Sequence, residues 1–251
     1  MQHHVKRSAI VSAFAASFLL TAVPDARAAD SQVTYLIGWQ ALSLGNVQAP
    51  LTQAGYASLP SSSLVQGLAY ESAIAHEVVL GVSAGVFGYG WFGTSLGRTG
   101  MVDGPVDGGT ALEATYRGFF GNLEIGAVLV GEDGLLIDNY CTNIPDVWPV
   151  VTLGLSEFDL KVSQVVDFPT AVTQGASSLT LSATAFQIGL AVPTTFHFGR
   201  RSGIALGIRP AVFFTTPTDW SYPGASGVVS GSTGSTGAIS GGYLAVSIGR
   251  W

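Results

Sequence analysis

Charge is what this chain has least of. Its 251 residues include 10 Lys+Arg and 16 Asp+Glu, so 10% are charged and the formal net charge is −6. An ordinary soluble domain carries roughly 25%. A water-facing surface needs hydrophilic groups, so this surface is either rich in Ser, Thr, Gly and Asn or does not face water. The scarcity of basic residues excludes a nucleic-acid binder, since those that follow the N-terminal segment form no patch. Cysteine is nearly absent as well. Cys141 stands alone between Asp138 and Pro145, which excludes an internal disulfide and reads best as an incidental thiol in a loop. There is no Cys/His metal cluster, no Gly-rich phosphate loop opening a helix and no repeat, so no cofactor is expected.

A long apolar run occurs once, at the N-terminus. Lys6 and Arg7 precede an uncharged run of 15 residues, Ala9–Val23, and Ala26-Arg27-Ala28 supplies small residues at the −3 and −1 positions. That order predicts a cleaved secretory signal over residues 1–28. The run falls short of the about 20 residues a membrane helix needs. The mature domain would be 29–251; without Lys6, Arg7, Arg27 and Asp25 it keeps 7 basic and 15 acidic residues, a net of −8.

Glycine, at 33 residues, is abundant. It argues against helices in the uncharged stretches 78–97, 168–199 and 220–249, because each helical Gly costs about 1 kcal/mol relative to Ala. Period-2 alternation recurs instead, the mark of strands with two unlike faces. Ile204, Leu206, Ile208, Val212 and Phe214 share one face, with Arg209 opposite. Phe186, Ile188, Leu190, Phe196 and Phe198 share another, with Gln187 and His197 opposite. In 33–43, Tyr35, Ile37 and Trp39 compete with Leu36 and Leu42 for the outer face. Two phase changes predict tight turns. Gly121-Asn122 would place Phe120 opposite Leu123, and Ser156-Glu157 would separate Val151/Leu153/Leu155 from Phe158/Leu160/Val162. A bulge in one strand explains the second change equally well.

Ten strands follow: 33–43, 63–71, 77–89, 110–120, 123–131, 148–155, 158–166, 182–198, 203–215 and 241–251. Fusing 148–166 gives nine, and eight is the alternative if another strand fails. Long connections alternate with short ones. The signal, the amphipathic hairpins and the strand ending in Trp251 make the chain resemble the small outer-membrane β-barrel proteins of Gram-negative bacteria. The resemblance implies an all-β, closed, antiparallel up-and-down transmembrane barrel in the cell outer membrane, with short periplasmic turns and long external loops. It implies lipid, periplasmic chaperones and the barrel-assembly machinery as partners, with no nucleic acid, and a monomer. It also implies that the terminal strand, through Tyr243 and Trp251, carries the assembly signal. Leu244, Val246 and Ile248 alternate out of phase with Trp251.

The sparse charges are then expected inside. Glu71, Glu77, Glu113, Arg117, Glu124, Asp159, Lys161, Gln187, His197 and Arg209 make up the expected lumen network, with Arg117 paired to Glu124 across the Gly121-Asn122 turn. Trp39, Tyr70, Tyr116, Phe120, Phe196 and Phe198 are candidates for interfacial girdles. The external loops would hold Asp103, Asp107, Glu132, Asp133, Asp138, Asp146, Asp167 and Asp219 as a solvated acidic surface. The function expected is non-enzymatic, a narrow pore or a structural and surface-interaction module. An outer-membrane enzyme is a second reading; a Ser or Asp within hydrogen-bond reach of His76 or His197 at the rim would favour it. A secreted β-sandwich is the third.

Overall fold

The computed structural model describes residues 31–44, 47–53, 55–57, 62–74, 77–88, 101–107, 110–131, 135–138, 144–162, 179–198, 203–222 and 231–250. The signal segment, His76, Cys141, Asp167 and Trp251 lie outside them. The strands are β1 (Ser31–Ser43), β2 (Ser62–Ile74), β3 (Val78–Gly88), β4 (Met101–Asp107), β5 (Thr110–Ala127), β6 (Val130–Gly131), β7 (Ile137–Asp138) and β8 (Asp146–Val147). They continue as β9 (Val150–Val162), β10 (Leu179–Ala191), β11 (Thr194–Phe198), β12 (Ile204–Thr215), β13 (Thr218–Tyr222), β14 (Gly231–Gly237) and β15 (Ser240–Arg250). A short helix, α1 (Gln48–Gln53), follows β1.

Eight of these strands pair in a ring. The order is β1, β2, β3, β5, β9, β10, β12, β15, and β15 pairs with β1 again, every step antiparallel. Ser31 and Arg250 mark one end, called here the terminal end; the opposite end carries α1, β4, β13 and β14 and is called the loop end.

Neither expected tight turn exists. Gly121 and Asn122 lie inside β5, opposite Leu155 and Gly154, and Ser156 and Glu157 lie inside β9, opposite Phe120 and Phe119. Two pairs of expected strands therefore merge, and the ring has the alternative count of eight. The phase changes have another cause. Along β9, Val151, Leu153 and Leu155 point outward, while Phe158, Leu160 and Val162 point inward and are buried. The strand keeps one alternation throughout; what changes is which face is apolar. β5 does the same, with Leu123 and Ile125 outward and Tyr116 and Phe120 inward.

The outward face is apolar toward the terminal end on all eight ring strands. Trp39, Leu68, Leu80, Leu123, Leu155, Ile188, Val212 and Leu244 are exposed representatives, one from each strand. Toward the loop end, β5 and β9 turn polar outside, where Arg117 and Lys161 are exposed. The interior is apolar at both ends. Near the loop end an apolar core contains Leu36, Phe87, Tyr116, Phe120, Phe158, Leu160 and Trp220, joined by Leu51 of α1 and by Val47 and Tyr56, which flank that helix. Near the terminal end a smaller apolar group of Val79, Val128, Trp148, Val150 and Ala191 fills the interior.

Prolines interrupt the ladder without shifting it. β8 and β9 are separated by Trp148-Pro149, and β10 and β11 by Val192-Pro193. Yet Val150 faces Ala191 and Val147 faces Thr194, so the register carries straight through. The β11–β12 hairpin keeps the β10–β12 register in the same way.

Candidate functional site

The polar interior groups meet between the two apolar layers. Arg209, on β12, is 1% exposed. Its Nη1 donates to Glu71 Oε1 at 2.5 Å and its Nη2 to Glu124 Oε1 at 2.5 Å. Its Nε donates to Tyr243 Oη at 3.2 Å, and Gln32 Nε2 donates to Glu71 Oε2 at 2.7 Å. Five side chains from β1, β2, β5, β12 and β15 thus share one buried network, drawing in strands from around the ring.

Register explains the meeting. Glu71 of β2 faces Gly81 of β3, and Gly81 faces Glu124 of β5, so the carboxylates sit at one level two strands apart. The missing side chain between them is required. A Cβ on Gly81 would lie 2.6 Å from the Tyr70 carbonyl oxygen, 3.1 Å from Glu71 Cγ and 3.3 Å from Glu124 Oε2. Burying charge is tolerated only when it is paired and hydrogen-bonded. A guanidinium suits two carboxylates because its donors form a fixed planar fork. Glu124 Oε2 is the exception: it is buried with no hydrogen-bond partner among the described residues.

One level toward the loop end lies an uncharged polar row. Asn122 Nδ2 donates to Ser83 Oγ and Gln187 Nε2 to Asn122 Oδ1, each at 3.4 Å, and Ser156 Oγ donates to Gln187 Oε1. The apolar core begins above this row.

Of the residues expected inside, Glu71, Glu124, Gln187 and Arg209 converge in this layer. Four others do not. Arg117, Asp159 and Lys161 occupy the outward phase, because β5 and β9 run uninterrupted through the expected turns. Arg117 Nε lies 3.6 Å from Asp159 Oδ2, its directly opposite neighbour, and Asp159 accepts from Ser182 Oγ at 2.7 Å. The expected Arg117–Glu124 bridge is absent, since those side chains leave β5 on opposite faces. Glu77 is exposed beside β3, outside the interior network. Glu113 faces Asp103 across the β4–β5 pair; its side chain lies outside the description.

Tyr243 points inward to Arg209, while Leu244, Val246 and Ile248 take the outward phase. Two further expectations change. Tyr116 and Phe120 belong to the interior core and to no girdle. Asp146 sits at the terminal end, away from the loops that follow β3 and β12. There its Oδ2 lies 3.1 Å from His197 Nδ1, both side chains being largely buried. The sequence offered no sign of this pair, since 51 positions separate the two residues along the chain.

No protein-family model matches the chain, and no curated protein matches it. Among solved structures it is similar to the crystal structure of the outer membrane protein OprG from Pseudomonas aeruginosa, at 12% identity and a TM-score of 0.39, covering 88% of this chain and 93% of that one. It is also similar to the solid-state NMR structure of outer membrane protein AlkL in DMPC lipid bilayers, at 11% identity and a TM-score of 0.37, covering 91% and 93%.

Proposed function

We propose that the chain is an integral outer-membrane β-barrel whose interior is sealed, acting as a structural and surface-presenting module and not as a solute pore or an enzyme. The observation that carries this reading is the inside-out distribution of side chains. Apolar residues face outward around all eight ring strands, while Arg209, Glu71 and Glu124 are buried at the centre. A soluble sandwich would cover that outward face with a second sheet or surround it with charge. Hydrocarbon accepts it as it stands, because a closed ring satisfies every backbone group internally. β12, at 12 residues, meets the roughly 9–11 residues that a tilted strand needs to span.

Eight strands enclose a space that side chains can fill. Here an aromatic core, the polar layer and the Trp148 group fill it in succession. Such an interior supports the module over the pore. Reconstituted in a planar bilayer, the protein should show no steady conductance; reproducible open-channel steps would overturn the sealed reading.

The Asp146–His197 pair favours the enzymatic alternative to one degree, since it supplies an oriented imidazole at the rim. His197 Nε2 is itself buried, so a substrate could not reach it without rearrangement.

A further inference from the structure

We infer that the connection between β5 and β9, through Leu135, Leu136 and Ile144, is inserted into the periplasmic leaflet of the membrane and gives the barrel a lipid-binding apron at its terminal end. The inference rests on the membrane reading above and assigns a lipid contact to a segment outside the ring.

The described residues of this connection, 128–131, 135–138 and 144–149, form a sheet extension in which β11 pairs β8, β8 pairs β6, and β6 pairs β7. Leu135 N donates to Val128 O and Leu136 N to Leu129 O, each at 3.0 Å, which ties the two leucines to this extension. Because β8 and β11 keep the register of β9 and β10, the extension begins as a continuation of the ring wall.

Its inner side is occupied. Val128 and Trp148 pack into the interior, and Asp146 meets His197 behind β8 and β11. Its apolar exposure is therefore directed elsewhere. Leu136 is 74% exposed, Leu135 50% and Ile144 43%. On the adjoining hairpin Phe196, Phe198, Ile204 and Leu206 are exposed too, continuing the outward belt of β10 and β12. An apolar patch that adjoins a membrane belt is most simply covered by the same hydrocarbon.

Charge at this end fits a phospholipid leaflet. Arg250, on β15, stands opposite both Ile204 and Val33, at the edge of the belt. A cation beside an apolar edge matches the phosphate level of a leaflet whose acyl chains take the leucines.

The test uses single cysteines in a Cys141→Ser background, each carrying an environment-sensitive nitrobenzoxadiazole dye. The protein is reconstituted in vesicles of phosphatidylethanolamine and phosphatidylglycerol, with or without chain-brominated phosphatidylcholine. A dye at Leu136→Cys should emit at shorter wavelength than one at Lys161→Cys, and brominated chains should quench it at least twofold. A dye at Ile188→Cys, within the belt, is the reference. If Ile188→Cys is quenched and Leu136→Cys is not, the apron is overturned and the barrel reading stands. If neither is quenched, both fall. A matching result at Leu135→Cys guards against a folding defect confined to position 136.

Discussion

Arg209 is where a single residue matters most. Removing one member of a buried ion network strands the rest, at a cost of about 3–5 kcal/mol. Arg209→Met should lower the heat-denaturation midpoint of the folded band on a gel by that equivalent. Combining it with Glu71→Gln and Glu124→Gln should recover much of the loss, because no buried charge then lacks a partner. The two carboxylates are unequal. Glu71 accepts from Arg209 and from Gln32, whereas Glu124 Oε2 has no partner among the described residues. Glu124→Gln alone should therefore destabilise less than Glu71→Gln; equal losses in parallel melts would contradict the asymmetry. Arg117→Leu gives the contrasting case. Its ion pair with Asp159 is on the exposed outer face, so its loss should cost at most about 1 kcal/mol in the same assay.

At the scale of elements, β5 and β9 carry the argument. An insertion of three residues is tolerated in a hairpin turn but breaks the register of a strand. Inserted after Gly121 or after Ser156, such a segment should abolish the folded band, while the same insertion after Ile74, between β2 and β3, should leave it. These strands also show what sequence can reveal. Alternation on β12, and from Phe186 to Leu190 on β10, was legible, because there one face stays apolar and Arg209 or Gln187 stands opposite it. On β5 and β9 alternation identifies the apolar face at each point, but not whether that face meets lipid or core. Val151 to Leu155 face outward and Phe158 to Val162 face inward, so an uninterrupted strand mimics a turn. The same ambiguity hid the aromatic interior, since Tyr116 and Phe120 read equally well as outward residues. The convergence of Glu71 and Glu124 on Arg209 was beyond sequence alone, because it depends on β2, β3 and β5 being consecutive neighbours with Gly81 between the acids.

For the whole molecule, the outer face and the interior are complementary. The wall is apolar outside toward the terminal end and gains charge outside toward the loop end, while the interior holds one polar layer between two apolar groups. The low charge content follows from this division. A chain in this arrangement keeps ionic groups for one buried layer, the outer face toward the loop end and the connections, and needs few elsewhere. The most direct test of this account is a spin-label scan along β5 in lipid vesicles, with single cysteines from 116 to 125 in a Cys141→Ser background and accessibility measured to oxygen and to a water-soluble nickel chelate. The account predicts one unbroken alternation: odd positions from 119 to 125 accessible to oxygen, even positions shielded from both reagents. A reversal of phase at 121–122, or even positions open to the nickel chelate, would contradict a continuous membrane strand around a sealed interior.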